Sequence, residues 1–234
     1  MLPDQSKVPI IKRIRISERK FRLIVKCFCL DLTATITAKL SLLNRNTVNK
    51  YYGVCKYVVC KEALKERQEQ GLANGIEIDE AYFGARRIRG KRGRGASGKI
   101  IVLGLLKRNG RVYADIIPDV QRQTLLPIIR RVVKSGSDIY TDGWRSYDAL
   151  AVYGYNHKTV KHDENEFARG ETHVNGIESY WSWTKRRAIK FNGIQKKEFS
   201  QFLLESEWRF NHRDTIESDM RVLLKKHKKI TRSN

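Results

Sequence analysis

Around Ile76 and Ile78 apolar residues alternate with Glu77 and Asp79, and this two-residue period predicts a strand over 75–84. The segment 99–107 contains the uninterrupted run Ile100-Ile-Val-Leu-Gly-Leu-Leu106, the pattern of a strand covered on both faces. Arg108-Asn-Gly110 reads as a hairpin turn of the Asn-Gly type, with its return strand over 111–118. Thr124, Leu125, Ile128, Ile129, Val132 and Val133 then recur at three and four, the period of a helix. A fourth strand is predicted over 137–144, a short helix over 146–152 and a fifth strand near 157–161. Asn175 and Gly176 suit the start of a last helix, on which Ile177 and Trp181 share one face. The predicted order is β-β-β-α-β-α-β-α. Asp79 stands on the first strand, Asp142 at the end of the fourth and Glu178 on the last helix.

The first 74 residues read differently. Residues 1–20 are polar and basic with Ile10, Ile11, Ile14 and Ile16 interspersed, an arm or short strand. Phe21, Ile24, Val25 and Phe28 predict a helix. Thr33 to Leu40 suits a short helix burying Ala34, Ile36 and Leu40; Ser41 to Asn44 suits a turn, with Asn46 as cap. A further helix runs from about Thr47 into the fifties, with Val48 and Tyr51 inward. Two short helices joined by a tight turn make a helix-turn-helix. Arg45, Asn46, Thr47, Asn49 and Lys50 then lie on its exposed face, where major-groove contacts are made. Any helical hairpin shows the same periodicity. The charged run 61–70 reads as a solvated helix end or linker.

After the sheet pattern, Phe199, Phe202, Leu203, Ser206 and Phe210 form one face of a helix expected to pack on the sheet. The basic ending 224–232 reads as a tail, disordered until bound. The expected division is a helical DNA-binding region over 1–74, a catalytic domain over 75–215 and a basic tail over 216–234.

Charge sharpens this picture. The 234 residues carry 47 Lys and Arg against 25 Asp and Glu, a formal net charge of +22. Such a surplus predicts a polyanionic partner, nucleic acid before anionic membrane. With 41% hydrophobic residues the chain can build a core, which excludes global disorder. No segment approaches the roughly 20 consecutive apolar residues of a membrane span, and the first residues lack a signal-peptide pattern. A cytoplasmic protein is the expectation. Between the first two strands, Arg86, Arg87, Arg89, Lys91, Arg92 and Arg94 crowd a glycine-rich loop that suits phosphate contacts. Cys27, Cys29, Cys55 and Cys60 have C-x-C and C-x4-C spacings, unlike the C-x2-C of zinc ribbons, and apolar neighbours. Buried thiols are expected there, and no zinc.

The order of elements and the carboxylate stations resemble the RNase H-like fold of DDE transposases and integrases. Between Asp142 and Glu178 lie 35 residues, the "D, D35 E" spacing of many members, and Lys185 supplies the basic residue seven places on. Ile78-Asp-Glu80, Tyr140-Thr-Asp-Gly143, His173-x-Asn175-x-x-Glu178-x-x-Trp181 and Trp208-Arg-Phe-Asn-His-Arg213 occur in the family's order. They resemble bacterial insertion-sequence transposases of the ISXO-type branch over about 72–214. Longer members begin with a zinc ribbon; this sequence resembles the shorter subgroup without one.

The resemblance implies a five-stranded mixed RNase H-like sheet flanked by helices and preceded by a small helix-turn-helix domain. It implies cleavage and strand transfer at the element's inverted-repeat ends and into target DNA, by a homodimer or larger assembly on double-stranded DNA. The implied cofactor is two Mg²⁺ or Mn²⁺ ions, since hard cations take carboxylate oxygens. Asp79 would bridge both, with Asp142 and Glu178 each completing one site, and Lys185 would meet a phosphate near the cut. His173 and Asn175 either orient Glu178 or the scissile strand or only cap the helix. Trp181 and Trp183 read first as packing. Two other readings stay open: a metal-dependent nuclease or resolvase of the same fold, and a non-catalytic DNA-binding derivative of a transposase.

Overall fold

The structure, a computed structural model, describes residues 15–69, 71–84, 99–108, 110–142, 147, 150–160, 175–191 and 194–230. The chain forms two compact units, Met1–Glu66 with Lys197–Asn234, and Arg67–Lys196. Among the described residues no helix is long and apolar enough to cross a membrane.

The first unit is helical. Helix α1 (Glu18–Cys29) starts where the Ser17 hydroxyl accepts the Lys20 N–H, and buries Phe21, Ile24, Val25 and Phe28 as their spacing predicts. Thr33 caps α2 (Ala34–Ser41) by accepting the Ile36 N–H. The inward face of α2 differs from expectation. Ile36 and Leu40 are 47% and 56% exposed, whereas Thr37 and Ser41 are buried. Hydrogen bonding makes that arrangement stable: Thr37 Oγ1 pairs with Tyr52 Oη at 2.7 Å, and Ser41 Oγ donates to the Thr37 carbonyl at 2.7 Å. Helix α3 (Arg45–Glu69) is capped by Asn44 rather than Asn46, because Asn44 Oδ1 accepts the Asn46 N–H at 2.7 Å. It continues through the charged run expected to be a helix end or linker, burying Val54, Cys55, Val58, Val59, Cys60 and Ala63.

The C-terminal segment also departs from expectation. Helix α6 (Phe199–Asn211) places Leu204 and Trp208 in the helical core with Ile24, Val48 and Val59. The region read as a basic tail forms α7 (Ile216–Ile230), whose Met220, Leu223 and Leu224 join the same core. Four lysines and His227 crowd the end of α7, which hides its apolar stripe from a charge count. Arg209, with a side chain 3% exposed, ties α6 to α1. It donates to Glu205 at 2.8 Å and to the carbonyls of Phe28 and Cys29 at 2.8 and 3.2 Å. Carbonyls in the last turn of a helix lie beyond its regular ladder of hydrogen bonds, and a planar guanidinium serves two of them at once.

All four cysteines are buried and none is in a disulfide. Cys29 and Cys60 donate to the carbonyls of Ile216 and Gln201, which requires protonated thiols. Burial pushes the Cys29 thiol up to about 11 and raises Cys55 as well, opposing the thiolate form that metal ligation needs.

The second unit is built on one sheet of order β3-β2-β1-β4-β5. Strands β1 (Ile76–Phe83), β2 (Ile100–Lys107) and β3 (Val112–Ile117) form an antiparallel meander. Helix α4 (Arg122–Val132) then returns the chain to the other side of β1, where β4 (Asp138–Thr141) and β5 (Asn156–Thr159) add in parallel. Helix α5 (Asn175–Lys190) comes next along the chain. This is the mixed RNase H-like sheet that the element order predicts. The fourth and fifth strands are shorter than expected. Of the short helix expected over 146–152, residues 146, 148 and 149 lie outside the described residues; a 3-10 turn spans Ala151–Tyr153, and Val152 is 83% exposed. Ile76, Ile78, Leu103, Leu105, Leu125, Ile129 and Ile139 fill the core, each contributing about 1.5–3 kcal/mol on burial.

Candidate active site

The central strand sets the site. β1 lies between β2 and β4, so its polar side chains project from the middle of the sheet. Glu77 and Asp79 stand two residues apart and therefore on one face; Glu80 stands on the other. β1 and β4 are parallel, with Glu77 beside Tyr140. Two residues further along each segment come Asp79 and Asp142, the latter immediately after the last residue of β4. The parallel register thus brings Asp142, just past the end of β4, level with Asp79 in the middle of β1, although 63 positions separate them.

Helix α5 brings the third. Two hydrogen bonds fasten it to β1. Glu77 Oε2 accepts the Ile177 N–H at 2.9 Å. One helical turn on, the Trp181 indole N–H donates to Asp79 Oδ2 at 3.1 Å. Glu178 lies between these two anchors on the exposed side of the first turn.

Two glycines permit the close approach. Gly104, opposite Asp79 on β2, would carry its Cβ into the Trp181 ring and to 2.8 Å from Ile177 Cδ1. A Cβ on Gly176 would stand 2.5 Å from Leu106 Cδ2 and 2.8 Å from Glu77 Oε2. Trp181 also meets Phe83 edge-on, with ring centroids 6.2 Å apart. Lys185, one further turn along, lies with Nζ 6.0 Å from the Phe83 ring centroid and is exposed. The progression Glu77–Ile177, Asp79–Trp181, Phe83–Lys185 runs α5 along β1 in one direction. Glu178 and Lys185 therefore share the stretch of helix that borders Asp79.

The electrostatics are those of a crowded anionic site. Burial pushes the Asp79 carboxyl above its ordinary range; the Glu80 backbone N–H opposes this, Asp142 raises it further, the Trp181 N–H lowers it and Glu178 raises it. Tyr147, whose hydroxyl donates to Glu80, is held well above the usual phenol range by burial first and then by Glu80, Asp79 and Asp142. Asp142 and Glu178 are thus close enough to Asp79 to repel it. Among the described residues no three His, Cys, Asp or Glu side chains converge tightly enough to hold an ion as they stand. The donor chemistry nevertheless fits a hard divalent cation: oxygen ligands only, with mutual repulsion that a cation relieves.

The remaining residues singled out from the sequence are spread over both units. Arg45, Asn46, Asn49 and Lys50 are exposed on the first two turns of α3, and Thr47 is half-buried. Asn175 opens α5 and is exposed. His173 and the cations Arg86, Arg87, Arg89, Lys91, Arg92 and Arg94 lie outside the described residues. Sequence reasoning missed Glu77 and Gly104. Glu77, 1% exposed, forms an ion pair with Arg108 Nε at 3.2 Å, and the Arg108 guanidinium lies 3.7 Å from the centroid of the Tyr140 ring. A glycine inside an apolar strand was the one signal available for Gly104.

Residues 71–211 match the family model of the ISXO2-like transposase domain. An uncharacterized transposase-like protein of Haemophilus influenzae is 45% identical over 113 residues, covering 48% of this chain and 90% of that protein. An uncharacterized protein in transposable element ISH50 of Halobacterium salinarum is 32% identical over 151 residues, 56% of this chain and 50% of that protein. The chain therefore spans half the length of that second relative. Among solved structures, a pre-cleavage Mos1 transpososome is similar at 11% identity and a TM-score of 0.35, covering 93% of this chain and 81% of that one. The Mos1 strand transfer complex is similar at 12% identity and a TM-score of 0.30, covering 90% and 81%.

Proposed function

This chain belongs to the ISXO2-like transposase family, and from that premise we propose that it cleaves DNA at the ends of an insertion sequence and joins them to target DNA. The observation that carries the reading is geometric: the parallel register of β1 and β4 sets Asp142 beside Asp79, and the Trp181–Asp79 hydrogen bond fastens the helix that bears Glu178 to the same strand. Asp79, Asp142 and Glu178 are the residues that would hold two Mg²⁺ or Mn²⁺ ions.

Bound divalent ions supply charge stabilisation for the phosphoryl transition state and ease deprotonation of the attacking oxygen. The chain's own groups do the rest. The start of α3, with Arg45, Asn46, Asn49 and Lys50 exposed and Thr47 half-buried, reads the element's ends in the major groove. Lys185 contacts a phosphate beside the cut, and Arg86, Arg87, Arg89, Lys91, Arg92 and Arg94 neutralise the backbone around it. Asn175 and His173 orient the start of the Glu178 helix or the strand to be cut. Water opens the phosphodiester to leave a 3′-OH. That hydroxyl then attacks a target phosphodiester, forming one P–O bond as another breaks. Handling two ends together calls for at least two copies of the chain on the DNA, in the cytoplasm.

The test is incubation of the protein with DNA carrying the element's ends and Mg²⁺. Joined products are expected. Hydrolysis without joining would identify a nuclease of the same fold instead, and binding without cleavage a DNA-binding derivative. Asp142→Asn should abolish cutting and leave DNA binding within about twofold, since it removes a ligand and no phosphate contact. Normal cutting by that variant would refute the carboxylate assignment.

A further inference from the structure

Glu77 is an expensive residue to place where it is. Its side chain is 1% exposed, and an isolated buried carboxylate costs several kcal/mol unless it is paired and hydrogen-bonded. It is both. One oxygen takes Arg108 Nε at 3.2 Å and the other takes the Ile177 backbone N–H at 2.9 Å. Arg108 is itself fixed at the end of the β2 hairpin: its backbone N–H donates to the Gly75 carbonyl at 3.0 Å and its guanidinium packs on Tyr140 of β4. Glu77 therefore connects the central strand, its two neighbours and the first turn of α5.

We propose that Glu77 is a positioning residue that fixes the first turn of α5, and with it the Glu178 carboxylate, at a set distance from Asp79. Three observations carry this. The accepted N–H belongs to Ile177, the residue immediately before Glu178. Glu77 and Asp79 lie on one face of one strand, so the anchor and the nearest carboxylate of the site move as one body. Residue 176 is glycine where a Cβ would stand 2.8 Å from Glu77 Oε2, so the backbone can come within reach of that oxygen. Asn175, whose side chain is a good helix cap by type, is exposed, while a carboxylate 100 residues away takes the Ile177 N–H. The tether adds no ligand; it sets where a ligand stands. This inference rests on the reading of Asp79, Asp142 and Glu178 as cation ligands.

The test uses the full chain with Mn²⁺ alone, without DNA, in four forms: unchanged, Glu77→Gln, Glu77→Ala and Asp142→Asn. Mn²⁺ affinity is measured by electron paramagnetic resonance, and the protection of the Ile177 and Glu178 amides by hydrogen exchange. Gln retains a carbonyl oxygen for the Ile177 N–H; Ala does not. Glu77→Ala should bind Mn²⁺ at least roughly tenfold more weakly, as loss of a residue that orients a ligand does, and lose protection at those amides. Glu77→Gln should stay within about threefold on Mn²⁺ and keep the protection. If Glu77→Ala does not fold, Gly176→Ala is the second disruptor and should show the same pair of losses. Unchanged Mn²⁺ affinity in a variant that has lost the amide protection would overturn the inference, as would Glu77→Gln behaving like the alanine variant. Were the unchanged chain to bind Mn²⁺ no better than Asp142→Asn, the ligand reading itself would fall. The role given to Glu77 would fall with it, while amide exchange would still report whether the tether exists.

Discussion

Trp181 donates its indole N–H to Asp79 Oδ2 at 3.1 Å, joining the helix that carries Glu178 to the strand that carries the first carboxylate. The bond takes up one oxygen of a carboxylate that burial and two like charges already disfavour. Trp181→Phe keeps an aromatic ring against Phe83 and deletes the donor. It should cost roughly 1.5–3 kcal/mol of stability, the range for a hydrogen bond to a charged group, and slow end cleavage far less than Asp79→Asn. Thermal unfolding and a cleavage time course check both. A Trp181→Phe variant as dead as Asp79→Asn would place the indole in the chemistry rather than beside it.

Gly104 lies under the same indole. Gly104→Ala forces a methyl group against Trp181 and Ile177. Overpacking of this kind costs roughly 1–3 kcal/mol, seen as a lower midpoint in chemical denaturation with an unchanged slope. The loss should shrink when Trp181→Phe is combined with it, because the smaller ring relieves the clash. Strict additivity of the two changes would mean that the added methyl meets something else.

Lys185 is exposed on α5 near the end of β1. If it contacts one phosphate, Lys185→Ala should weaken binding to DNA of any sequence and reduce the slope of log affinity against log salt by roughly one. Titrations between low and moderate salt measure this directly. An unchanged slope would reduce Lys185 to an ordinary surface cation.

His212 should make the stability of the helical unit pH-dependent. Burial works against its charged form, but hydrogen bonds from its ring nitrogens to Glu66 at 3.0 Å and Asp219 at 2.7 Å outweigh that, and the net shift is upward. A raised folded-state value means that the His212 contribution is complete below the unfolded-state value and is lost as pH rises through the folded one. Asp219 shifts the other way. Burial raises it, yet Thr215 and His212 more than compensate, so its contribution is present above the unfolded carboxylate range and is lost as pH falls through the lowered value. Stability of the helical unit should therefore fall on both sides. His212→Gln should flatten the alkaline side, read as melting temperature against pH from about 5 to 9. A His212→Gln profile that still falls on that side would assign the dependence to another group.

The sequence by itself determined the order of elements and the stations of the three carboxylates. Alternation around Ile76 and Ile78 marks a strand, Ile177 and Trp181 mark one helical face, and neither needs knowledge of a partner. Such periods report what an element does with its own faces. They do not report which element fills the space opposite. Hence α2 turned Thr37 and Ser41 inward once Tyr52 supplied a hydrogen bond, and Ile36 and Leu40 were left outside. Hence also α6 and α7 completed the helical core, α7 from a stretch whose charge suggested a tail. At the site, Asp79, Asp142 and Glu178 were legible because spacing along the chain survives in the sequence. Glu77 was not, because alternation on a strand cannot distinguish a solvated carboxylate from one buried beneath a helix start. Only tertiary packing decided that difference, by bringing Ile177, Arg108 and the Cβ-free backbone at Gly176 to one acidic side chain.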